Sequence, residues 1–196
     1  MSRRPFPWLA VVASVIASVS IALLAAQWIV GSDDNSDGVD PSVLVNGDTS
    51  GDTAVTGTLE VDEIVPDATF PLLDGGQGSI SDSLGKPLVV NFWSSTCVPC
   101  RQEMPALQEV ATDTEGQVNF LGLAVIDSPV DAKKFVAETG VTYRQGLDPQ
   151  SEIATAFGTI ALPHTVFVRA DGTVASVHNG ALSEAEIRQL VGDLTT

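Results

Sequence analysis

Positive charge is scarce in this chain. Nine Lys and Arg stand against 25 Asp and Glu, a formal net charge of −16 at pH 7. No Lys or Arg occurs between Arg4 and Lys86. That balance excludes nucleic acid and anionic membrane surfaces as partners, because both would be repelled. Cysteine is almost absent: the chain has two, Cys97 and Cys100. Two cysteines cannot form a disulfide framework, and a structural zinc site normally takes four Cys or His ligands. The only histidines are His164 and His178, so no metal is expected. Internal repeats are missing as well, which excludes a solenoid.

What is present divides the chain into unequal parts. From Trp8 to Val30 there are 23 residues without a charge. At about 1.5 Å per residue they span roughly 35 Å as a helix, enough for a bilayer core of about 30 Å. Arg3 and Arg4 precede this run and an acidic stretch follows it. Residues 1–7 are therefore expected in the cytoplasm, 8–30 as a single-pass transmembrane signal anchor, and the remainder outside. A cleaved signal peptide is the alternative, but the run exceeds the usual apolar core of such peptides and no small-x-small site follows it. A lipoprotein would need a cysteine just after the run. Residues 31–63, rich in Asp, Gly, Ser and Thr, read as an acidic flexible tether. Residues 64–196 read as the globular domain, with 44% hydrophobic residues in the whole chain to build its core.

In that domain, apolar runs alternate with helical patterns. Strands are expected at 68–72, 88–93, 118–126, 143–147, 165–169 and 174–177, and a turn at 75–78. Helices are expected at about 98–112, with Pro105 inside, then at 129–139, 150–157 and 183–194. Ser128 is placed to cap the second helix and Gly140 to end it. Ser183 and Glu186 have capping-box spacing for the last. Ala170-Asp171-Gly172 signals a hairpin. The order implies a layered α/β sandwich.

Cys97-Val98-Pro99-Cys100 falls between the apolar run Leu88-Val89-Val90-Asn91-Phe92-Trp93 and a helix start. A dithiol there is placed for redox work, since the helix N-terminus offers free amides and a positive dipole end to a thiolate. Cys97, at the helix start, is the expected attacking thiol. Cys100, one turn further in, is the expected resolving thiol. Pro99 stiffens the loop. Val98 adds neither charge nor hydrogen bond, so nothing between the cysteines suggests a potent oxidase. Glu103 lies one turn beyond Cys100 on the same helix face. Partly desolvated, it would titrate near neutrality, as a proton shuttle requires. Trp93 is expected beside the site.

Taken together, Gly85-Lys86-Pro87, Val90-Asn91-Phe92-Trp93, Cys97-Val98-Pro99-Cys100-Arg101, Glu103-Met104-Pro105, Leu162-Pro163-His164-Thr165, Asp171-Gly172 and Gly180 resemble a family. It is the membrane-tethered TlpA, ResA and CcmG group of thioredoxin-like thiol–disulfide oxidoreductases. The resemblance covers about 64–194. It implies a three-layer α/β/α thioredoxin-like sandwich. Pro163 follows Cys97 by 66 residues, room for the extra helix and strand of the TlpA-type insertion. It also implies that Pro163 is a cis-proline, placing the backbone of Leu162 beside Cys97 for a substrate strand. Asn91 stands where thioredoxin has a buried Asp, and Glu103 matches a glutamate of the ResA-like branch. Thr96 departs from the family, which usually has Trp there, and so alters the substrate-facing surface formed with Val98, Pro99, Leu162, Trp93 and His164. The His164 ring is expected at the surface, with an approach to the sulfurs as the other possibility. His178 is expected to be exposed.

The implied function is disulfide reduction of extracytoplasmic proteins such as apocytochrome c or copper-centre assembly proteins, using the Cys97–Cys100 disulfide and no other cofactor. Electrons would come from a membrane donor of the CcdA/DsbD type, and the protein is expected to be a monomer. Oxidation of secreted proteins is the main alternative. A peroxiredoxin-like peroxidase fits less well, because its P-x-x-x-T-x-x-C context would need Pro and Thr where Val90 and Ser94 stand. A copper chaperone using Cys97, Cys100 and His164, and an inert scaffold module, complete the alternatives.

Overall fold

Strand β3 (Leu88–Trp93) is buried along its whole length. An apolar run of this kind needs cover on both faces, so it becomes the central strand. In the computed structural model, which describes residues 59–195, β3 has parallel β4 (Asn119–Val125) on one side and β5 (Arg144–Asp148) beyond it. On the other side lie antiparallel β6 (His164–Val168) and then β7 (Val174–Asn179). The sheet order is β5-β4-β3-β6-β7. A separate hairpin pairs β1 (Thr69–Pro71) with β2 (Gln77–Ser79). The expected turn at 75–78 is therefore tighter, with Gln77 and Gly78 drawn into a strand by pairing.

Four helices among the described residues complete the layers: α1 (Val98–Asp113), α2 (Pro129–Thr139), the short α3 (Glu152–Ala156) and α4 (Glu184–Leu194). The expected caps are formed. Ser128 Oγ accepts from the Asp131 N–H at 3.1 Å, Gly140 takes φ 74° just past α2, and Ser183 with Glu186 makes a reciprocal capping box.

Alternation along β3 decides which helix covers which face. Val89 packs with Leu107 and Val110 of α1 and with Ile187 and Val191 of α4. Trp93 packs with Cys100 and Met104 of α1 and with Ala132 and Phe135 of α2. Leu88, Val90 and Phe92 point the other way, into Phe70 of the hairpin and Ile153, Ala154 and Phe157 around α3. This is the thioredoxin-like α/β sandwich, with α2 and β5 inserted between β4 and α3.

The expected membrane segment, the residues before it and most of the tether lie outside the described residues. Among the described residues no helix is long and apolar enough to cross a membrane. The described part of the stretch assigned to the tether, from Leu59, is packed on the domain. Leu59 is buried in the core, the Asp62 N–H donates to the Val174 carbonyl at 2.9 Å, and the Val174 N–H donates to the Glu63 carbonyl at 2.8 Å. Composition does not reveal this docking, because one leucine and a few backbone bonds hold an otherwise polar segment.

Candidate active site

The loop after β3 leads into α1, and Cys97 is the N-cap of that helix. Cys97 and Cys100 form a disulfide with their Cα atoms 5.3 Å apart. The Cys100 N–H donates to Cys97 Sγ at 3.2 Å, as an amide of the first turn would to a thiolate. No acidic side chain stands in the first turn to oppose that charge. Cys97 is half-buried whereas Cys100 is fully buried. Thr96, Val98 and Pro99 are exposed around them. Only the first sulfur can meet a protein partner, in accord with the roles expected of the two thiols.

A packed floor supports the dithiol. The Trp93 indole stacks on Phe135 with ring centroids 5.1 Å apart and planes 15° apart, and its Nε1 donates to Gln145 Oε1 at 3.0 Å. Arg101 lies over the other reach of Phe135, 4.4 Å from the ring centroid, with its guanidinium 2.7 Å from Glu138. Leu162 packs against the cluster that holds Trp93 and Cys100, and the Leu162–Pro163 peptide is cis. Trp93 thus sits beside the site as expected, but at 0% exposure it supports the sulfurs and offers no contact to a substrate.

Glu103 lies within this core, only 1% exposed. Its Oε1 accepts from the Leu182 N–H at 3.2 Å and from Thr165 Oγ1 at 3.5 Å, and its Oε2 accepts from Asn91 Nδ2 at 3.1 Å. Burial raises its pKa to about 7, with the bonds from Leu182, Asn91 and Thr165 opposing the rise. The sign for stability follows directly. The folded carboxyl holds its proton to higher pH than the unfolded one, so stability is fully present below about pH 4.5 and is lost as pH rises through about 7. Glu103→Gln is expected to remove that slope, making the variant relatively more stable than the parent at pH 8 than at pH 5. Denaturant titrations at the two pH values measure the difference, and equal differences would show an ordinary carboxylate.

A sequence profile of the AhpC/TSA family matches residues 61–177. The chain belongs to the AhpC/TSA family. It is 29% identical over 132 residues to a thiol-disulfide oxidoreductase ResA of Geobacillus thermodenitrificans, covering 67% of this chain and 76% of the relative. It is 33% identical over 106 residues to the thiol:disulfide interchange protein CycY of Rhizobium leguminosarum, covering 54% of this chain and 56% of that one. Among solved structures, a secreted Mycobacterium tuberculosis disulfide oxidoreductase homologous to E. coli DsbE superposes with a TM-score of 0.61 at 29% identity, over 65% of this chain and 96% of the other. The protein is a thiol–disulfide oxidoreductase of the ResA, CcmG and DsbE type.

Within this AhpC/TSA-family site the structure corrects a second residue besides Trp93. His164 is not at the surface. It is 0% exposed, its ring nitrogens stand 2.8 Å from Asn179 Oδ1 and 3.2 Å from the Phe157 carbonyl, and it tilts against Phe92 at 5.8 Å. Burial lowers its pKa and so favours the neutral ring, against a rise from its bond to Asn179. Phe92 and His164 are register partners on the sheet face opposite Glu103, so the imidazole neither approaches the sulfurs nor contacts a substrate. The Cys97, Cys100 and His164 ligand set of a copper chaperone is thereby not assembled. His178, expected to be exposed, is half-buried on β7, where pairing with Thr165 of β6 covers part of it.

Other site residues have weaker sequence signals. Asp127 accepts from both the N–H and the hydroxyl of Ser95, clamping the loop before Cys97. Parallel pairing of Trp93 with Ala124 puts the two loops side by side, which strand prediction alone could have suggested. Gln145 and Phe135 show no signal without the tertiary register.

Proposed function

We propose that this oxidoreductase is an extracytoplasmic disulfide reductase, anchored by residues 8–30 as a monomer and re-reduced by a membrane donor of the CcdA/DsbD type. The observation that carries the chemistry is a half-buried Cys97 on a helix N-terminus, a buried Cys100 behind it and a buried Glu103 one turn below. The reduced Cys97 thiolate attacks a sulfur of a substrate disulfide. One substrate thiolate leaves and takes a proton, and a mixed disulfide remains. Cys100 then gives its proton to the Glu103 carboxylate as its sulfur attacks Cys97. The second substrate thiolate departs, two electrons have passed to the substrate, and the Cys97–Cys100 disulfide is formed.

Several features support reduction over oxidation. The thiolate at Cys97 would gain the helix terminus and one amide, with Val98 and Pro99 adding no further donor, so the reduced form is not strongly favoured. Exposed Thr96, Val98 and Pro99 present an uncharged face for a protein substrate, and Leu162 offers backbone beside it. The uncharged 8–30 run behind Arg3 and Arg4 supports substrates outside the cytoplasm, and the resemblance to the TlpA, ResA and CcmG group supports the apocytochrome c or copper-centre assembly class. The Cys97–Cys100 couple is expected to equilibrate below the roughly −180 mV of disulfide isomerases. Equilibration with glutathione or a dithiol buffer measures it, and a potential well above that value would favour the oxidase reading instead.

A further inference from the structure

Beneath the dithiol, one row of residues crosses the sheet: Gln145 on β5, Gly122 on β4, Asn91 on β3, Thr165 on β6 and His178 on β7. By alternation, these residues belong to the sheet face under α1. Asn91 uses both hydrogens of its amide nitrogen, donating to Glu103 Oε2 at 3.1 Å and to Thr165 Oγ1 at 2.9 Å. Its Oδ1 is buried and has no protein partner. Three more buried polar atoms among the described residues share that condition, Gln145 Nε2, the Tyr143 hydroxyl and Thr159 Oγ1, and the first two belong to residues at β5.

Asn91 Oδ1, Gln145 Nε2 and the Tyr143 hydroxyl belong to side chains on one face of the sheet. Gly122 stands between Asn91 and Gln145 in the register and has no side chain to separate them. The Gln145 amide folds over it, so closely that a Cβ at 122 would stand 2.7 Å from Gln145 Cδ and 2.8 Å from Nε2. Tyr143, just before β5, packs on Phe120 with ring centroids 5.9 Å apart, and Phe120 shares the face of Gly122 on β4. Burial pushes its hydroxyl pKa up, the Gln145 amide pulls it down and the charge of Glu103 adds to the rise. Among protein atoms the hydroxyl has no hydrogen-bond partner.

An acceptor, a donor and a hydroxyl that does either make the complement of one water molecule. Buried waters typically make about three such bonds to groups that protein atoms leave unpaired. We propose that a buried water held by Asn91, Gln145 and Tyr143 makes Gln145 and Tyr143 positioning residues for Glu103. The water donates to Asn91 Oδ1, accepts from Gln145 Nε2 and shares its third bond with the Tyr143 hydroxyl. With Oδ1 so occupied, the amide of Asn91 is held with its nitrogen toward Glu103. Turned over, it would set an oxygen against the carboxylate. Because Gln145 Oε1 also receives the Trp93 indole, the same water joins the floor of the dithiol to the carboxyl that serves it.

The inference rests on Glu103 as the proton acceptor of Cys100. The titratable groups facing Glu103 are Cys100 on its own helix and Tyr143 before β5. His178 ends the row on β7, on the side of Glu186, and Glu186 caps α4 through Ser183. The test is carbon-detected NMR titration of the Glu103 carboxyl in the oxidised full chain, with a near-atomic-resolution crystal structure. Tyr143→Phe and Gln145→Met are each expected to raise the Glu103 midpoint by about half a pH unit or more, since a freed Asn91 no longer donates steadily to the ionised form. Thr159→Val, which removes the remaining unpartnered buried hydroxyl, is expected to leave it unmoved. A bridging water on the three atoms together with those shifts supports the proposal. Unshifted midpoints in both variants, or three atoms without a common water, overturn it while Glu103 keeps its raised midpoint. A parental midpoint in the ordinary carboxylate range would instead remove the proton-acceptor reading on which it rests.

Discussion

Cys97→Ser is expected to abolish disulfide exchange, a loss on the order of a thousandfold or more in turnover of a protein disulfide. Serine at this position cannot ionise near neutral pH, and buried Cys100 cannot take over, because its sulfur has no solvent-facing surface. Cys100→Ser should behave differently. Cys97 remains half-buried at the helix terminus and still attacks, but no resolving thiol releases the product. Mixed disulfides should then accumulate and be recovered through Cys97 by mass spectrometry, which would also identify the substrate. Equal activity in Cys97→Ser and the parent would remove the dithiol from the chemistry. Trapping through Cys100 in place of Cys97 would reverse the assigned roles.

Trp93→Ala is expected to have the largest effect on stability, about 3–5 kcal/mol from the buried ring and the cavity it leaves. Loss of the indole N–H also strands Gln145 Oε1 in the core, a further cost of roughly 1–3 kcal/mol if no other donor reaches it. Against a typical total of about 5–15 kcal/mol, such a variant stands near the limit of folding. Trp93→Phe keeps the stack on Phe135 and should lose roughly half as much, by the area it retains. Urea denaturation of the oxidised proteins gives both values. A Trp93→Ala cost under about 1 kcal/mol would mean that the floor is not packed as the Trp93–Phe135 geometry requires.

Sequence legibility varied with the range of the interaction. Ser128, Gly140, Ser183 and Glu186 act on their own helix ends, so spacing alone located α2 and α4 closely. The continuous apolar run at Leu88–Trp93 announced a buried central strand, because no one-sided sheet would tolerate it. The turn at Gly75 and Gly76 was legible, whereas the pairing of β2 with β1 was not: Gln77, Gly78 and Ser79 have little strand character of their own. His164 was misread for a related reason. Histidine is intermediate in burial preference, and only the pairing with Phe92, together with hydrogen-bonding partners on Asn179 and Phe157, makes its burial tolerable.

Glu103 shows the division most clearly. Its helical spacing from Cys100 placed it on the same face, but its near-complete burial depends on Leu182, Asn91 and Thr165, which come from three other segments. By itself, the order of residues determined the α/β layering, the cysteine pair at a helix start and which of the two lies first on that helix. Those features depend on periodicity and on neighbours within a few positions. The folded chain alone decided the depth of Glu103, the opposite-facing His164, the Asp127 clamp on Ser95 and the polar row from Gln145 to Asn91. Each depends on strand register, which brings together side chains that are distant along the chain.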